Sequence, residues 1–224
     1  MRSLDQMLAL SPWTGGLSPD QLDRVKSDVV QREFAGGAYV CRKGEPTNAW
    51  IGVVDGLVKL NSESESGKAV TLAGIPAGSW FGEGSVLKRE LRKYDIVTLR
   101  DSRIAFMPEA TFRWLLDNSI PFNRFLLMQL NERLGQFIGM IEHERLLDPD
   151  ARVARALASL FNPHLYPVTE TKIQISQQEI GYLSGVSRQR VNQALQVLEK
   201  NGMLRVEYGG ITVLDLAGLK RIGG

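Results

Sequence analysis

The stretch Ile175–Leu214 constrains the fold of this chain most, because two helix starts follow one another within it. Ser176 and Glu179 have the spacing of a capping box, in which a hydroxyl and a carboxylate satisfy the free N–H groups of a helix start. Gly185 can take the left-handed backbone that ends a helix and turns the chain. Ser187 then caps a second helix. The pattern predicts two short helices joined by a tight turn, a helix-turn-helix.

The second of these helices has one apolar and one polar side. Its apolar positions recur at spacings of three and four: Val191, Ala194, Leu195 and Leu198. The other side is rich in Arg, Gln and Asn, with no acidic residue from Ser187 to Leu198. Arg pairs with guanine, and Gln or Asn with adenine. We therefore predict contacts to DNA from Ser176, Gln177, Ser187, Arg188, Gln189, Arg190, Asn192 and Gln193.

A strand pair completes this region. The residues after Gly202 read as a strand, a Gly-Gly turn at Gly209 and Gly210, and a second strand, which makes the unit a winged helix. The alternative is an ordinary helical pair whose polar residues are only solvated. The Arg, Gln and Asn content of the polar side disfavours it.

Composition excludes several classes of protein. A single cysteine rules out an internal disulfide and any cysteine-rich metal or iron–sulfur site. The sequence has no run of 18 apolar residues and no apolar signal core at its start, so we expect a cytoplasmic protein without a membrane span. From Pro149 on there are 9 basic and 6 acidic residues, against 18 and 19 before it. The positive excess thus lies with the predicted DNA reader.

In the first half of the chain, the sequence pattern changes from helical to strand-like near Glu33. Residues 1–32 read as helical, with Ser18 as a cap before a proline. From Glu33 to Phe106, short apolar runs alternate with Gly-containing turns, including Val54-Asp-Gly-Leu and Glu65-Ser-Gly-Lys. Regular short strands of this kind predict an antiparallel sandwich or barrel.

One turn in this region is a candidate binding loop. Gly82, Glu83 and Gly84 follow an aromatic pair. A glycine-rich turn can offer backbone N–H groups to an anion, and a carboxylate can accept from a sugar hydroxyl. Such turns are also common between strands, so the signal alone is weak.

A long helix is predicted from Pro121 to about Leu147. An apolar stripe recurs along it at the 3-4 spacing of a coiled coil: Leu127, Leu130, Leu134, Phe137 and Ile141. We predict that this stripe joins two subunits; the alternative is a helix packed on its own domain. Asp148-Pro149 then breaks the helix and marks a hinge.

The order of helix, β-roll, long helix, hinge and winged helix resembles the Crp–Fnr family of bacterial transcription regulators over essentially the whole chain. The resemblance implies an α+β protein with an N-terminal antiparallel β-roll, a double-stranded β-helix like cyclic-nucleotide-binding domains, a long dimerisation helix and a C-terminal winged helix-turn-helix. We place the effector domain at residues 1–120, the dimerisation helix and hinge at 121–148 and the DNA-binding domain at 149–224.

The resemblance also implies a function. A homodimer would bind a palindromic site in double-stranded DNA, an effector at the β-roll would change its DNA affinity, and it would contact RNA polymerase. Two other hypotheses are a catalytic β-barrel and a module that acts through protein contacts only. The sequence shows no catalytic triad or carboxylate pair that would support a catalytic barrel. The polar side of the second helix, with Arg188 and Arg190, disfavours a module that contacts only proteins.

The resemblance does not identify the effector. Cys41 stands alone, which excludes the iron–sulfur subtype and argues against haem. The family's phosphate-holding Arg-Ser pair matches Lys93 and Tyr94, or Arg92 if a gap is allowed. The purine-contacting pair on the long helix matches Phe137 and Ile138. Cyclic AMP is therefore disfavoured. In the recognition helix Arg188 matches the guanine-reading arginine, while Gln189 and Gln193 replace a glutamate and an arginine.

Overall fold

The computed structural model describes residues 3–63, 69–167 and 171–223. These pack as two units, one of residues 3–133 and 163–167, the other of residues 134–162 and 171–223. The chain therefore leaves the first unit, enters the second, returns briefly and leaves again. The predicted turn at Glu65-Ser-Gly-Lys lies outside the described residues.

The first unit is a β-roll flanked by helices. It begins with helices α1 (Leu4–Leu10) and α2 (Pro19–Asp28), with a short 3-10 turn (Thr14–Gly16) between them. The strands are β1 (Val30–Phe34), β2 (Tyr39–Cys41), β3 (Ala49–Asp55), β4 (Leu57–Glu63), β5 (Ala69–Pro76), β6 (Trp80–Phe81), β7 (Asp95–Thr98) and β8 (Ser102–Pro108). Helix α3 (Glu83–Lys88) lies between β6 and β7, and α4 (Glu109–Asn118) leads into α5 (Ile120–Leu146).

The strands form two four-stranded antiparallel sheets, ordered β1-β8-β3-β6 and β2-β7-β4-β5. Strand β3 is buried along its whole length except at its last residue. Because side chains alternate along a strand, its Trp50 and Val54 join the core beneath the helices, while Ile51 and Val53 join a second core. The predicted antiparallel architecture is confirmed.

Aromatic packing fixes the helices on the β-roll. Trp50 and Trp80 lie with their ring centroids 4.7 Å apart, and Trp13 lies 5.4 Å from both. Phe112 of α4 and Phe122 of α5 meet the same cluster edge-on at Trp50. The cluster therefore binds α4 and the start of α5 to the first sheet, with edge-to-face geometries that add to burial.

The prediction of helix over residues 1–32 is wrong at its end. Helix α2 begins as predicted, with Ser18 accepting from the N–H of Gln21 and proline in the first turn, but it stops at Asp28. Strand β1 follows and pairs with β8, Val30 opposite Phe106. Four of its five residues are exposed, so its sequence lacks the alternation that marks a half-buried strand. Strand β6 and helix α3 were also missed.

The second unit is a winged helix-turn-helix, as predicted. Its elements are α6 (Pro149–Ser159), β9 (Lys172–Ile173), α7 (Gln177–Ser184), α8 (Arg188–Lys200), β10 (Leu204–Glu207), β11 (Gly210–Val213) and α9 (Leu216–Arg221). The three strands form an antiparallel sheet in the order β10-β11-β9. Sequence reasoning missed β9 and α9.

The predicted break after the long helix is confirmed. Helix α5 ends at Leu146, and the carboxylate of Asp148 accepts from the backbone N–H groups of Asp150 and Ala151. Pro149 takes the first position of α6, where a missing N–H costs nothing. Within the described ranges, no helix is both long and apolar enough to span a bilayer.

Candidate nucleic-acid interface and effector site

The turn between α7 and α8 has the geometry that its sequence predicts. Ser176 and Glu179 form the capping box at the start of α7, and Gly185 ends that helix in the left-handed conformation with φ 66°. A side chain at Gly181 would come within 2.9 Å of the backbone oxygen of Val186. Glycine at 181 therefore allows the chain to turn tightly into α8.

Helix α8 is divided sharply into a buried and an exposed side. Val191, Ala194, Leu195 and Leu198 are buried in the core of the unit. Arg188, Gln189, Asn192 and Gln193 are exposed. The amide of Gln177 on α7 donates to Asn192 at 3.2 Å, which joins the exposed sides of the two helices. The structure thus collects the predicted DNA-contacting side chains on one surface of this unit.

Ser176 and Ser187 already serve as helix caps. Each hydroxyl accepts from a backbone N–H, of Glu179 at 3.2 Å and of Arg190 at 3.3 Å. A hydroxyl that accepts in this way keeps its own hydrogen for donation. Both serines are exposed, so each can still donate to a phosphate oxygen.

Arg190 has a partner that sequence reasoning missed. Its Nη2 lies 3.0 Å from a carboxylate oxygen of Asp150 on α6, and its Nη1 donates to Gln193 at 3.1 Å. No acidic residue lies between Ser187 and Leu198, but α6 brings Asp150 to this stretch from forty positions earlier in the chain. Arg190 is therefore less available for DNA than the exposed Arg188.

The wing is fixed to the recognition helix. The carboxylate of Glu199 on α8 accepts from the backbone N–H of Val206 on β10 at 2.7 Å. Tyr208, at the tip of the β10–β11 hairpin, is fully exposed, and Gly209 beside it has φ 75°. The wing tip is thus a protruding aromatic side chain beside the helix-turn-helix.

In the β-roll, the Gly82 loop surrounds a buried carboxylate. Gly82 has φ 85°, a conformation that favours glycine, and it begins α3. Glu83 is 1% exposed, and its Oε1 accepts from Nε of Arg133 at 2.7 Å. Nη2 of the same guanidinium donates to the carbonyl of Trp80 at 2.7 Å. Arg133 therefore ties helix α5 to both ends of this loop.

Arg133 was missed by sequence reasoning, although a signal was present. Phe122, Leu126, Gln129 and Arg133 recur on α5 at spacings of 4, 3 and 4, and all four face the β-roll. Burial by itself lowers the pKa of Arg133, but the nearby Glu83, Tyr166 and Tyr94 together raise that pKa above its usual value. Arg133 therefore stays charged.

The structure corrects the prediction for Lys93. Its side chain is exposed and lies 3.1 Å from the Glu90 carboxylate, away from the loop. Arg92, by contrast, is 4% exposed, and its Nη2 donates to the carbonyl of Ala49 at 2.7 Å. Its Nη1 lies against Gly82, where an added side chain would come within 2.8 Å of it. Arg92 is therefore a second cation, besides Arg133, that the fold buries at this loop.

Two further side chains near the loop are kept neutral. Burial raises the pKa of Tyr94 to about 12, with a further rise from Glu83. Burial also raises the pKa of the Cys41 thiol to about 11. Phe137 and Ile138, predicted to face an effector, lie on α5 beyond Arg133 and belong to the second unit, where Ile138 is exposed. Their predicted role stays a prediction.

The apolar stripe on α5 is exposed. Leu127 is 68% exposed, Leu134 59% and Ile141 54%, while Leu130 and Ile138 lie on the same side. Phe137 is partly buried. Within the residues that the structure covers, no group of three or more His, Cys, Asp and Glu side chains is placed to hold a metal ion.

Comparison with known proteins gives the family. The cyclic nucleotide-binding domain model matches residues 31–119, and the Crp-like helix-turn-helix domain model matches residues 151–222. The transcriptional regulator SdrP of Thermus thermophilus is 30% identical over 172 residues, which cover 76% of this chain and 81% of SdrP. The chain belongs to the CRP/FNR family of transcriptional regulators.

Other CRP/FNR members extend the similarity to the whole chain. The cyclic AMP receptor protein of Thermus thermophilus is 27% identical over 212 residues, 95% of this chain and 96% of that protein. A solved CRP/FNR regulator from Thermus thermophilus superposes with a TM-score of 0.60 at 26% identity, over 87% of this chain and 98% of that one. This CRP/FNR member is a DNA-binding transcription regulator that carries a cyclic-nucleotide-binding-type domain.

We expect the protein to lose much of its stability against unfolding when the Arg133–Glu83 ion pair is broken. In Arg133→Met the Glu83 carboxylate stays buried without its guanidinium, so the free energy of unfolding should fall by about 3–5 kcal/mol. Urea titration followed by tryptophan fluorescence measures this, because all four tryptophans lie in the first unit. The control Arg124→Met removes an exposed arginine from the same helix and should change stability by about 0.5 kcal/mol or less. Equal losses in both variants would contradict the assignment.

Proposed function

We propose that this CRP/FNR regulator acts as a homodimer that reads a palindromic operator with α8, under the control of a small effector at the β-roll. One observation carries the DNA-reading part. The first turns of α8 present exposed polar side chains, while the opposite side of the helix is buried. The exposed residues are Arg188, Gln189, Asn192 and Gln193. A helix-turn-helix places such turns against base edges in the major groove.

Arg188 is the residue best placed to read a base. It is exposed at the first position of α8 and has an arginine's fork of donors, which matches the O6 and N7 acceptors of guanine. Arg190 is held by Asp150 and suits a phosphate contact that competes with this ion pair. Gln189 accepts from cytosine or pairs with adenine, so the half-site should differ from that of relatives with glutamate there.

Arg188→Ala tests this reading. We expect a loss of about 1–3 kcal/mol per contact on the preferred operator and relaxed selectivity at one G·C pair in each half-site. Fluorescence anisotropy on duplexes that vary one base pair at a time measures both. Lys200→Ala removes an exposed positive charge from the other end of α8 and should leave the base preference intact. If Arg188→Ala keeps the wild-type base preference, Arg188 does not read DNA.

The dimer is proposed on the exposed α5 stripe. Soluble monomers rarely expose a large apolar surface, but five large apolar side chains are exposed on one side of α5: Leu127, Leu130, Leu134, Ile138 and Ile141. Their 3-4 spacing suits a parallel partner helix with the same sequence. A two-fold dimer would give the protein the symmetry of a palindromic operator.

Leu134→Glu should break the dimer. It places a charge opposite its own copy in an apolar seam, which costs several kcal/mol. The control Met128→Glu also adds a charge at an exposed apolar position, about 100° or more around the helix from the stripe. In sedimentation velocity, Leu134→Glu should run as a monomer and Met128→Glu as the wild type does. A wild-type dimer in Leu134→Glu would place the interface elsewhere.

The effector is proposed to be a small anion that also carries a hydroxyl group. Nη1 of Arg92 and Oε2 of Glu83 are both buried and lack a hydrogen-bond partner among the described residues. The first can donate to an anionic group and the second can accept from a hydroxyl. A cyclic nucleotide has both groups, and this chain is similar to the cyclic AMP receptor protein of Thermus thermophilus.

Cyclic AMP is nevertheless expected to bind weakly. Phe137 and Ile138 match the family's purine-contacting pair in sequence and offer no hydrogen bond, which would leave polar purine atoms unmatched at about 1–3 kcal/mol each. Titration calorimetry with cyclic AMP, paired with anisotropy on the operator, measures this. Micromolar binding that tightens DNA affinity tenfold would overturn the expectation.

The remaining partners follow from the same proposal. A dimer bound at an operator would contact RNA polymerase or block it. We place the protein in the cytoplasm with these partners.

A further inference from the structure

The segment Pro163–Pro167 packs in an unexpected place. It lies in the chain between α6 and β9, which are both elements of the second unit, yet it packs in the first. Leu165 and Tyr166 are each 1% exposed and belong to the core between the two sheets of the β-roll. His164 beside them is exposed. The two apolar side chains are therefore anchored, and the rest of the segment stays at the surface.

This core adjoins the candidate effector loop. It contains Phe81, the residue directly before Gly82, and Tyr94 packs against it. Arg133 is close to the same core, because Tyr166 affects its pKa. Burial lowers the pKa of Arg133, Glu83 raises it, and Tyr166 raises it by a smaller amount. Tyr166 thus lies in the same core cluster as Phe81 and Tyr94, which are close to the Glu83 loop and to Arg92 in the chain.

We propose that Leu165 and Tyr166 belong to the effector site, as an internal strap that closes the Glu83–Arg92–Arg133 cluster and that a ligand must displace. The proposal rests on the proposed effector function of this cluster. The unpartnered atoms Oε2 of Glu83 and Nη1 of Arg92 are buried behind protein side chains. A ligand can reach them only if part of that enclosure opens. The strap is a part of this core that belongs to neither the β-roll strands nor α5.

A short stretch of chain connects the strap to the DNA-binding unit. From Ser159 at the end of α6 to the buried Leu165 there are six residue steps, which span at most about 20 Å when extended. While Leu165 and Tyr166 are anchored, the chain on this side of α6 is fixed at one end. Releasing the strap removes this restraint. Ligand occupancy of the cluster and freedom of the DNA-binding unit are therefore coupled.

Coupling of this kind is reciprocal. If strap release favours the DNA-bound state, DNA should also favour strap release. A variant that cannot anchor the strap should then bind DNA better in the absence of any ligand. Tyr166→Ala is that variant, Tyr166→Phe keeps the ring as a conservative replacement, and His164→Ala changes an exposed residue of the same segment.

The first test uses the wild-type protein without a variant. Amide hydrogen exchange at His164, Leu165 and Tyr166 is followed with and without saturating operator duplex. We expect exchange to be about tenfold faster in the DNA complex, because the strap is released there. Equal protection in the two states would overturn the proposal.

The second test uses the three variants without DNA or ligand. Exchange of the amides from Gly82 to Arg92 should be at least about tenfold faster in Tyr166→Ala than in Tyr166→Phe or His164→Ala. Tryptophan fluorescence in urea first establishes that each variant is folded. Unchanged exchange in a folded Tyr166→Ala would overturn the proposal, as would a rise of equal size in His164→Ala.

The third test separates the strap from the proposed function. Without ligand, Tyr166→Ala should bind the operator about fivefold tighter than wild type, and His164→Ala should match wild type. Wild type and Tyr166→Ala with equal affinity would contradict the strap alone. A wild type that binds no selected duplex would contradict the proposed function, and the second test would still decide whether the strap closes the cluster.

Discussion

The buried contact between Arg133 and Glu83 is the interaction that holds helix α5 on the Gly82 loop of the β-roll. A carboxylate that is 1% exposed must be paired, because an isolated buried charge costs several kcal/mol. The required arginine is supplied by α5, the same helix that carries the exposed Leu134 stripe. We propose that Arg133 holds the effector loop and that the exposed stripe forms the dimer seam, so that the two proposed sites share helix α5.

Much of the DNA-binding unit could be predicted because its signals are local. Capping boxes, Gly185 and the Val191–Leu198 spacing each act within a few residues, so the sequence shows them directly. The β-roll was predictable as a class, since short strands between glycine turns admit few other folds. Strand β1 was not, because an exposed edge strand is held by its partner β8 and carries no alternation of its own.

The candidate sites were predictable only in part, because their decisive contacts join residues that are far apart in the chain. Arg133 meets Glu83 across fifty positions, and Asp150 meets Arg190 across forty. The sequence left Lys93 and Arg92 as alternatives, and the structure separates them because Arg92 is buried while Lys93 is exposed and pairs with Glu90. The place of Tyr166 in the β-roll core could not be predicted, since nothing near it in sequence indicates that contact.

In the function proposed for this regulator, α8 reads DNA and the loop around the buried Glu83 is the control site. The central claim, that a two-fold dimer reads DNA with α8, is tested most directly by selecting bound duplexes from a random pool. The account predicts enrichment of an inverted repeat whose half-site centres lie about one helical turn, roughly 34 Å, apart. Enrichment of a single unrepeated site, or no enrichment at all, would contradict it.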